Sequence, residues 1–226
     1  MSPKVKFEGL PREMIALRVS REIKDGNYVN LGIGIPTLVS NWIEGKDVVL
    51  QAEIGMLKTG ALADGDDVDQ DLINASCQAV TALPGSSYFD IAESFAMIRG
   101  GHIDVAVMGA LQINGRGDYA GWSNPARGLF VGNVGGSMDL CAGAKKLFIA
   151  MEHVTKDGEY KIVKELSYPS TADGKVSMLF TDLAVIEITP KGMVLKEVLA
   201  GLTAKDIQSV TEPKLIISPD LQEMQL

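Results

Sequence analysis

Hydrophobic residues recur with helical spacing near the start of this chain. Ile15, Val19 and Ile23 follow one another at intervals of four residues, while arginine and lysine side chains occupy the other faces. Gly26 follows as a stop signal. The pattern predicts an amphipathic helix over residues 11–24.

A different pattern follows this helix. Residues 28–31 form a short apolar run that leads into Gly32 and Gly34, and Pro36 then suits the first turn of a new helix. The order indicates a strand, a glycine turn and a helix. Glycines in such turns let a backbone approach a ligand closely.

The same order recurs along the first two-thirds of the chain. Residues 47–53 read as a strand, residues 90–99 as a helix closed by Gly100 and Gly101, and residues 103–111 as another apolar run. These strands are continuously apolar rather than alternating, which is typical of a parallel sheet covered by helices. The sequence therefore predicts an α/β fold with an open, largely parallel sheet and helices on both faces.

The C-terminal third is richer in predicted strands. They cover residues 147–151, 160–166, 177–188 and 192–198, and the last two are joined by a turn at residues 189–192 that predicts a hairpin. A short helix capped by Thr203 is expected over residues 203–210, and residues 212–226 read as a tail. Because no repeat or linker interrupts the chain, residues 1–226 are expected to form a single domain.

Composition narrows the function classes. The chain has 226 residues, 46% hydrophobic and 22% charged, which excludes disorder as the main state. A net charge of −8 disfavours nucleic acid and anionic membranes as partners. Cys77 and Cys141 lie far apart in apolar sequence, so we expect reduced thiols in a cytoplasmic protein. Neither a secretory h-region nor a long apolar span is present in the sequence.

Glu53 is the first candidate for chemistry. It stands at the carboxyl end of the strand predicted over residues 47–53, and Gly55 follows. Ligands of open α/β sheets bind beyond the carboxyl ends of strands, which would place this carboxylate in a crevice. The alternative is an ordinary strand-end carboxylate in solvent, and the spacing alone leaves both open.

A glycine-rich loop over residues 132–139 is the second candidate. Its backbone N–H groups could bind a carbonyl oxygen that gains negative charge, although a flexible turn has the same composition. The run from Gly32 to Gly34 lacks the third glycine of a dinucleotide fingerprint and the lysine of a phosphate loop. His102 and His153 are isolated, and residues 64–71 read as a solvated acidic loop, so no metal site is predicted.

A set of ordered motifs makes the chain resemble the β subunit of the class I coenzyme A (CoA) transferases, of the 3-oxoacid and acetate type. The resemblance covers almost the whole chain. Its motifs are Gly32-Ile-Gly-Ile-Pro36, Gln51-Ala-Glu-Ile-Gly55, Arg99-Gly-Gly-His-Ile-Asp104, Gly109-Ala-Leu-Gln112, Val134-Gly-Gly-Ser-Met-Asp-Leu140, Gly143-Ala-Lys-Lys146, Met151-Glu-His153, Lys156-Asp-Gly158, Thr181-Asp-Leu-Ala184 and Leu195-Lys-Glu197.

The resemblance implies roles for particular residues. Glu53 matches the nucleophilic Glu of the family's Ser-Glu-Asn-Gly motif, but Ala52 and Ile54 replace its neighbours. Gly135 and Gly136 match the loop that approaches the thioester oxygen, and Ser137 replaces the more usual Ala. The catalytic set implied is Glu53, Gly135 and Gly136, and the set expected to bind CoA or substrate is Gly32, Gly34, Ile54, Gly55, Val134 and Ser137.

The implied function is transfer of CoA between an acyl-CoA and a short-chain or 3-oxo carboxylic acid through a covalent glutamyl-CoA thioester. CoA would be a substrate, with no tightly bound cofactor or metal. An α subunit would complete the site in a heterotetramer of two α and two β chains, so the chain alone is expected to be inactive. A CoA-ester hydrolase or decarboxylase on the same fold stays open, as does a non-enzymatic module that binds CoA or a sugar phosphate.

Overall fold

A computed structural model describes residues 7–124 and 134–226. Its α-helices are α1 (Arg12–Ser20), α2 (Ile91–Arg99), α3 (Ser137–Gly143) and α4 (Ala204–Ser209), and two 3₁₀ helices cover Ile35–Trp42 and Gly65–Asp67. The strands are β1 (Tyr28–Leu31), β2 (Val49–Ala52), β3 (Met56–Leu62), β4 (Val80–Tyr88), β5 (Val105–Met108), β6 (Gln112–Asn114), β7 (Tyr119–Ala120), β8 (Lys146–Met151), β9 (Ile162–Val163), β10 (Val176–Thr181), β11 (Ala184–Thr189), β12 (Gly192–Val198) and β13 (Ile216–Glu223).

One large sheet organises the described residues. Its ten strands run in the order β13-β12-β11-β10-β8-β5-β1-β2-β3-β4, and β6, β7 and β9 form a smaller sheet. The five central strands, from β10 to β2, are all parallel, whereas antiparallel hairpins extend the sheet on both sides. The predicted open, largely parallel sheet is confirmed.

Helices cover both faces of this sheet, as the continuous apolar strands predicted. On one face, Ile15 and Val19 of α1 and Val39 of the first 3₁₀ helix pack against β1, β5 and β8. On the other face, α2, α3 and α4 pack against alternate residues of the same central strands, including Ala106 and Ile149. Successive strand residues thus enter two different cores, which is why the strands show no polar alternation.

Two helix starts follow from local chemistry that the sequence made visible. The Asp90 side chain accepts a hydrogen bond from the Glu93 N–H and caps α2. Thr203 and Asp206 form a reciprocal capping box at the start of α4. Both predicted helices are confirmed, while the first helix, α1, ends at Ser20 and is shorter than its apolar pattern suggested.

The C-terminal third departs from expectation in three places. The strand predicted over residues 160–166 is reduced to β9 (Ile162–Val163), which belongs to the smaller sheet. Residues 177–188 form two antiparallel strands, because the chain reverses between Thr181 and Ala184. The hairpin of β11 and β12 is confirmed. The interpretation of residues 212–226 as a tail is wrong, since β13 adds to the sheet edge parallel to β12. Pro219 and the polar residues that follow do not match a strand pattern, so the sequence did not predict this strand. Pro is tolerated there because β13 lies at the sheet edge.

His153 is a buried structural residue, as its isolation in the sequence suggested. Its ring nitrogens lie 2.9 Å from the hydroxyls of Thr181 and Thr211. The His153 backbone N–H donates to Asp182 Oδ1 at 2.7 Å. The ring therefore ties the ends of β8 and β10 to the segment after α4. Burial, aided by the charge of Lys161, lowers the pKa of His153 to about 3.

This low pKa predicts a specific loss of stability in acid. The unfolded chain takes up a proton on His153 below about pH 6.5, whereas the folded chain does not until about pH 3. The free energy of unfolding should therefore fall with decreasing pH across this window, by up to about 1.4 kcal/mol per pH unit from this group. Denaturant unfolding between pH 6.5 and 4.5 should show a shallower slope for His153→Gln than for the wild type. Parallel pH curves for the two proteins would contradict the assignment.

Within residues 7–124 and 134–226, the structure contains no helix long and apolar enough to cross a lipid bilayer.

Candidate functional site

Three neighbouring parallel strands, β1, β2 and β5, end around one cavity of about 530 Å³. Gly32 and Ile33 follow β1, Glu53 follows β2, and residues 109–111 follow β5. All of these residues line the cavity. The remaining wall consists of Ala75, Met108, Tyr119, Gly121, Val134, Gly135, Gly136, Ser137 and Leu140. A ligand site at the carboxyl ends of parallel strands is the position that the sheet architecture favours.

Glu53 is held in this cavity by a tight turn between β2 and β3. The Gly55 N–H donates to the Ala52 carbonyl at 3.0 Å, so Glu53 and Ile54 are the two central residues of the turn. The Glu53 carboxylate is half-buried, and its Oε2 accepts a hydrogen bond from Asn30 Nδ2 at 3.2 Å. The carboxylate therefore faces a crevice, and the alternative of an ordinary strand-end carboxylate in open solvent does not describe it.

Asn30 joins Glu53 to a polar network inside the sheet. Its Nδ2 also lies 3.2 Å from the Gln51 carbonyl and 3.3 Å from Gln51 Oε1, while Gln51 Nε2 donates to the Ser94 hydroxyl at 3.1 Å. Asn30, Gln51 and Ser94 are all buried, and Asn30 Oδ1 has no hydrogen-bond partner among the described residues. Sequence reasoning missed this network because it depends on the register that places Asn30 beside Gln51.

The glycine-rich segment forms a tight turn beside Glu53. The Ser137 N–H donates to the Val134 carbonyl at 2.9 Å, with φ of 47° at Gly135 and −83° at Gly136, as in a type II′ turn. A Cβ atom added to Gly136 would lie 3.8 Å from Glu53 Cγ and 2.8 Å from the Phe95 ring. The Gly136 backbone is thus packed against the carboxylate stem. Residues 132–133 of the predicted loop lie outside the described residues.

The amide of Gly136 is the notable donor of this turn. The Gly136 carbonyl accepts a hydrogen bond from the Leu140 N–H at 3.0 Å in the first turn of α3. Its own N–H has no acceptor among residues 7–124 and 134–226. A backbone donor of this kind, close to a carboxylate in a cavity, suits an oxygen that gains charge during a reaction.

The other residues singled out in the sequence divide into two groups. Gly32 lines the cavity, and a side chain there would meet Met108 Sδ at 3.0 Å and the Val107 carbonyl at 3.1 Å. Val134 and Ser137 also line it. Gly34, Ile54 and Gly55 do not line the cavity. Gly34 precedes the first 3₁₀ helix with φ of 92°, and Ile54 is 45% exposed. Gly55 closes the turn that carries Glu53, and it packs closely against the Phe89 carbonyl.

A second cavity, also of about 530 Å³, lies at the amino ends of β1 and β5 and contains His102. The Asp104 carboxylate and Lys145 ammonium there form an ion pair at 2.7 Å, and Glu53 is absent from its wall. Among residues 7–124 and 134–226, no cluster of three His, Cys, Asp or Glu side chains is placed to hold a metal ion. The cavity that contains Glu53 is therefore the candidate site.

Comparison with known proteins identifies relatives over nearly the full chain. The family model described as coenzyme A transferase matches residues 12–209. The chain is 46% identical over 207 residues to one subunit of a 3-oxoadipate CoA-transferase of Pseudomonas putida, covering 92% of this chain and 97% of that one. It is 47% identical over 201 residues to one subunit of a succinyl-CoA:3-ketoacid coenzyme A transferase of Helicobacter pylori, covering 89% and 96%. It is 43% identical over 211 residues to the beta subunit of an acetate CoA-transferase of Escherichia coli, covering 93% and 95%.

The fold comparison agrees with the sequence comparison. The crystal structure of an acyl-CoA transferase (YdiF) apoenzyme from Escherichia coli O157:H7 superposes with a TM-score of 0.76 at 20% identity. The alignment covers 98% of this chain but only 44% of that one, so this chain corresponds to less than half of that protein. On the family match and the sequence identities, the chain belongs to the coenzyme A transferase family.

Proposed function

We propose that this chain is the catalytic β subunit of a class I CoA-transferase that exchanges CoA between an acyl-CoA and a short-chain or 3-oxo carboxylic acid. The observation that carries the proposal is the Glu53 carboxylate, held in a cavity beside the unpaired Gly136 N–H of the described chain. The acid class rests on the relatives, whose names specify 3-oxoadipate, 3-ketoacid and acetate.

The proposed reaction uses Glu53 twice. Its carboxylate attacks the thioester carbonyl of acyl-CoA, the C–S bond breaks, and an acyl-glutamyl anhydride and CoA thiolate result. The thiolate then attacks the glutamyl carbonyl, which releases the first carboxylic acid as its anion and leaves a glutamyl-CoA thioester. A second carboxylate reverses both steps and leaves as the new acyl-CoA. Each thioester is exchanged for an anhydride and each anhydride for a thioester, so the free energy of the thioester bond is conserved. The reaction therefore requires no ATP.

The glycine turn supplies what the transition states need. Each attack places negative charge on a carbonyl oxygen, and the Gly136 N–H, which has no acceptor among the described residues, is a backbone donor beside Glu53 that suits this oxygen. One such donor is typically worth about 2.7–4 kcal/mol of transition-state stabilisation. Gly135 provides the positive φ that this turn requires, and Gly136 places the turn next to the Glu53 side chain.

The cavity wall also suits two intermediates that water would destroy. Ile33, Met108, Ala110, Leu111 and Leu140 make much of its lining apolar. An apolar wall limits hydrolysis of the anhydride and of the glutamyl-CoA thioester, which separates a transferase from a hydrolase.

A partner chain completes the proposal. The relatives are named as single subunits of their enzymes, and the name of the Escherichia coli relative specifies the beta chain, which implies a companion α chain. We propose a heterotetramer of two α and two β chains in the cytoplasm. Three large apolar side chains are exposed and could be covered by the α chain: Ile33 (69%) in the cavity wall, and Ile54 (45%) and Met138 (57%) next to wall residues. Both cysteines are free, which suits a reducing compartment.

Trapping of the covalent intermediate tests the function. The co-expressed complex is incubated with acetoacetyl-CoA, quenched, digested and examined by mass spectrometry with and without hydroxylamine. A CoA adduct on Glu53 that hydroxylamine converts to a hydroxamate, with exchange into labelled acetate or succinate, is the expected result. Steady loss of thioester without an acceptor acid would support a hydrolase instead, and binding without either reaction would support a simple CoA-binding module.

Asn30→Ala should impair the reaction through the orientation of Glu53. The substitution removes the donor 3.2 Å from Glu53 Oε2, and a hydrogen bond to a charged group is worth about 1.5–3 kcal/mol. We expect a decrease in kcat of about 10- to 100-fold with a small change in KM. Steady-state kinetics of the complex measure it.

Asn114→Ala is the matched control for this variant. Asn114 is also fully buried, but it binds Asp118 and lies outside the wall of the cavity. Both variants should lose stability, whereas only Asn30→Ala should lose kcat. Equal kcat values in the two variants would contradict a positioning role for Asn30.

A further inference from the structure

Gln51 and Ser94 are buried polar residues to which the proposed chemistry assigns no role. Gln51 is 3% exposed and Ser94 is fully buried, and neither belongs to the wall of the cavity that contains Glu53. Gln51 of β2 is paired with Asn30 of β1. The residue before each of them belongs to the core against α1, so the two amide side chains point to the opposite face of the sheet, toward α2.

Helix α2 determines which way the Gln51 side-chain amide faces. Gln51 Nε2 lies 3.3 Å from the Ser94 carbonyl oxygen and 3.1 Å from the Ser94 hydroxyl. A carbonyl oxygen only accepts hydrogen bonds, so the nitrogen of this amide, and not its oxygen, must face α2. Gln51 Oε1 is then left to accept from Asn30 Nδ2 at 3.3 Å. The Gln51 side chain therefore connects the backbone of α2 to Asn30.

The Asn30 amide is oriented in turn by the oxygens around its nitrogen. The Gln51 carbonyl, Gln51 Oε1 and Glu53 Oε2 all lie within 3.3 Å of Asn30 Nδ2. The opposite orientation would place Asn30 Oδ1 against these oxygens, none of which can donate when Glu53 is ionised. The observed orientation leaves Oδ1 buried without a partner among the described residues, which costs stability. The network therefore keeps a donor on the Glu53 carboxylate at the expense of stability.

The same helix also supports the glycine turn. Phe95 follows Ser94 in α2, and a Cβ atom added to Gly136 would lie 2.8 Å from the Phe95 ring. Consecutive residues of α2 thus contact the network behind Glu53 and the turn beside it. A rigid helix between the two parts fixes their relative positions.

We propose that Gln51 is a positioning residue of this site: its side-chain amide links the backbone of α2 to Asn30 and so holds the donor that orients the Glu53 carboxylate. The inference rests on the proposed function and adds a residue to the same site. It explains why a central, fully covered strand carries an amide where an apolar side chain would fill the core. A displacement of about 1 Å in a catalytic group can cost about 100-fold in rate.

The test compares Gln51→Met, Asn30→Ala and the double variant in the co-expressed complex. Methionine is unbranched, so it fills the buried space of glutamine but removes the amide. Gln51→Met should lower kcat about 3- to 10-fold and change KM less than about twofold. This loss is smaller than that of Asn30→Ala, because the Gln51 carbonyl still accepts from Asn30 Nδ2. The double variant should be no slower than Asn30→Ala alone, since Gln51 acts through Asn30.

Gln51→Glu preserves the test if Gln51→Met fails to fold. Glutamate has the shape of glutamine, but its ionised carboxylate cannot donate to the Ser94 carbonyl. This variant should therefore lower kcat at least as much as Gln51→Met. A wild-type kcat in either folded variant would overturn the inference.

The matched control is Gln208→Met. Gln208 Nε2 also donates to backbone carbonyls, those of Thr211 and Pro213 at 2.9 Å, but the residue is absent from the cavity wall. This variant should keep the wild-type kcat. An equal loss of kcat in Gln208→Met, losses that multiply in the double variant of Gln51 and Asn30, or a change confined to KM would overturn the inference.

The trapping experiment separates this inference from the proposed function. If the wild-type complex forms no adduct on Glu53, the proposed function fails and the inference with it. A normal wild-type adduct together with a wild-type kcat in Gln51→Met would remove the inference alone.

Discussion

Glu53→Gln should abolish exchange while leaving the fold intact. The substitution keeps the side-chain shape and an acceptor oxygen for Asn30 Nδ2, but it removes the carboxylate that attacks the thioester. We expect turnover to fall by at least about a thousand-fold, the order of loss seen when a covalent nucleophile is removed. Exchange of CoA into a labelled carboxylic acid measures the rate. Mass spectrometry of the intact chain, run in parallel, excludes a glutamate regenerated by deamidation.

Glu159→Gln is the control for this change. Glu159 is exposed and lies in a turn that contributes nothing to the cavity, so the variant should show wild-type exchange. The thermal unfolding midpoints of both variants should lie within a few degrees of the wild type. Substantial exchange in a Glu53→Gln sample free of deamidation would mean that another group accepts CoA.

Local sequence signals were sufficient to predict the position of Glu53. An apolar strand followed by Glu53 and Gly55 already indicated a carboxylate at the carboxyl end of a parallel strand. The helices covering both faces followed from the same signals, because fully buried parallel strands lack polar alternation. Resemblance to the family then supplied the chemical role, which spacing alone had left open.

The features that were missed depend on pairing between distant segments. Asn30 reads as a polar residue in a strand until the register sets it beside Gln51 and within reach of Glu53. The strand β13 forms by pairing with β12, and the residues around Pro219 contain no local pattern that indicates this pairing. Contacts of this kind are tertiary, so propensity and periodicity do not reveal them.

The position of Ile54 shows a different limit. The sequence places it next to Glu53 and so among the residues expected to touch substrate, but the tight turn leaves it 45% exposed and outside the cavity wall. Adjacent residues of a turn point in different directions, so sequence proximity to a nucleophile does not imply contact with its ligand. Gly55 is similar, since it acts on Glu53 through the backbone.

Gly55→Ala should therefore impair both stability and activity. Gly55 has φ of 130°, which L side chains rarely adopt, and a Cβ atom there would overlap the Phe89 carbonyl. The Gly55 carbonyl accepts from the Phe89 N–H at 3.0 Å, so the turn that carries Glu53 is attached to the end of β4. Relief of the overlap must move one of these segments. We expect a loss of about 2–3 kcal/mol in the free energy of unfolding and at least about a 100-fold decrease in kcat.

Gly45→Ala separates the steric overlap from the backbone strain. Gly45 also has a positive φ, 81°, but a Cβ atom there would meet nothing within 4 Å, and the residue lies outside the cavity wall. The Gly45→Ala variant should lose about 1 kcal/mol in the free energy of unfolding through backbone strain and should retain the wild-type kcat. Denaturant unfolding and steady-state kinetics of both complexes give the comparison. If Gly55→Ala were as active as Gly45→Ala, the attachment of the turn to β4 would not position the Glu53 carboxylate, and the nucleophile would depend on Asn30 and the glycine turn alone.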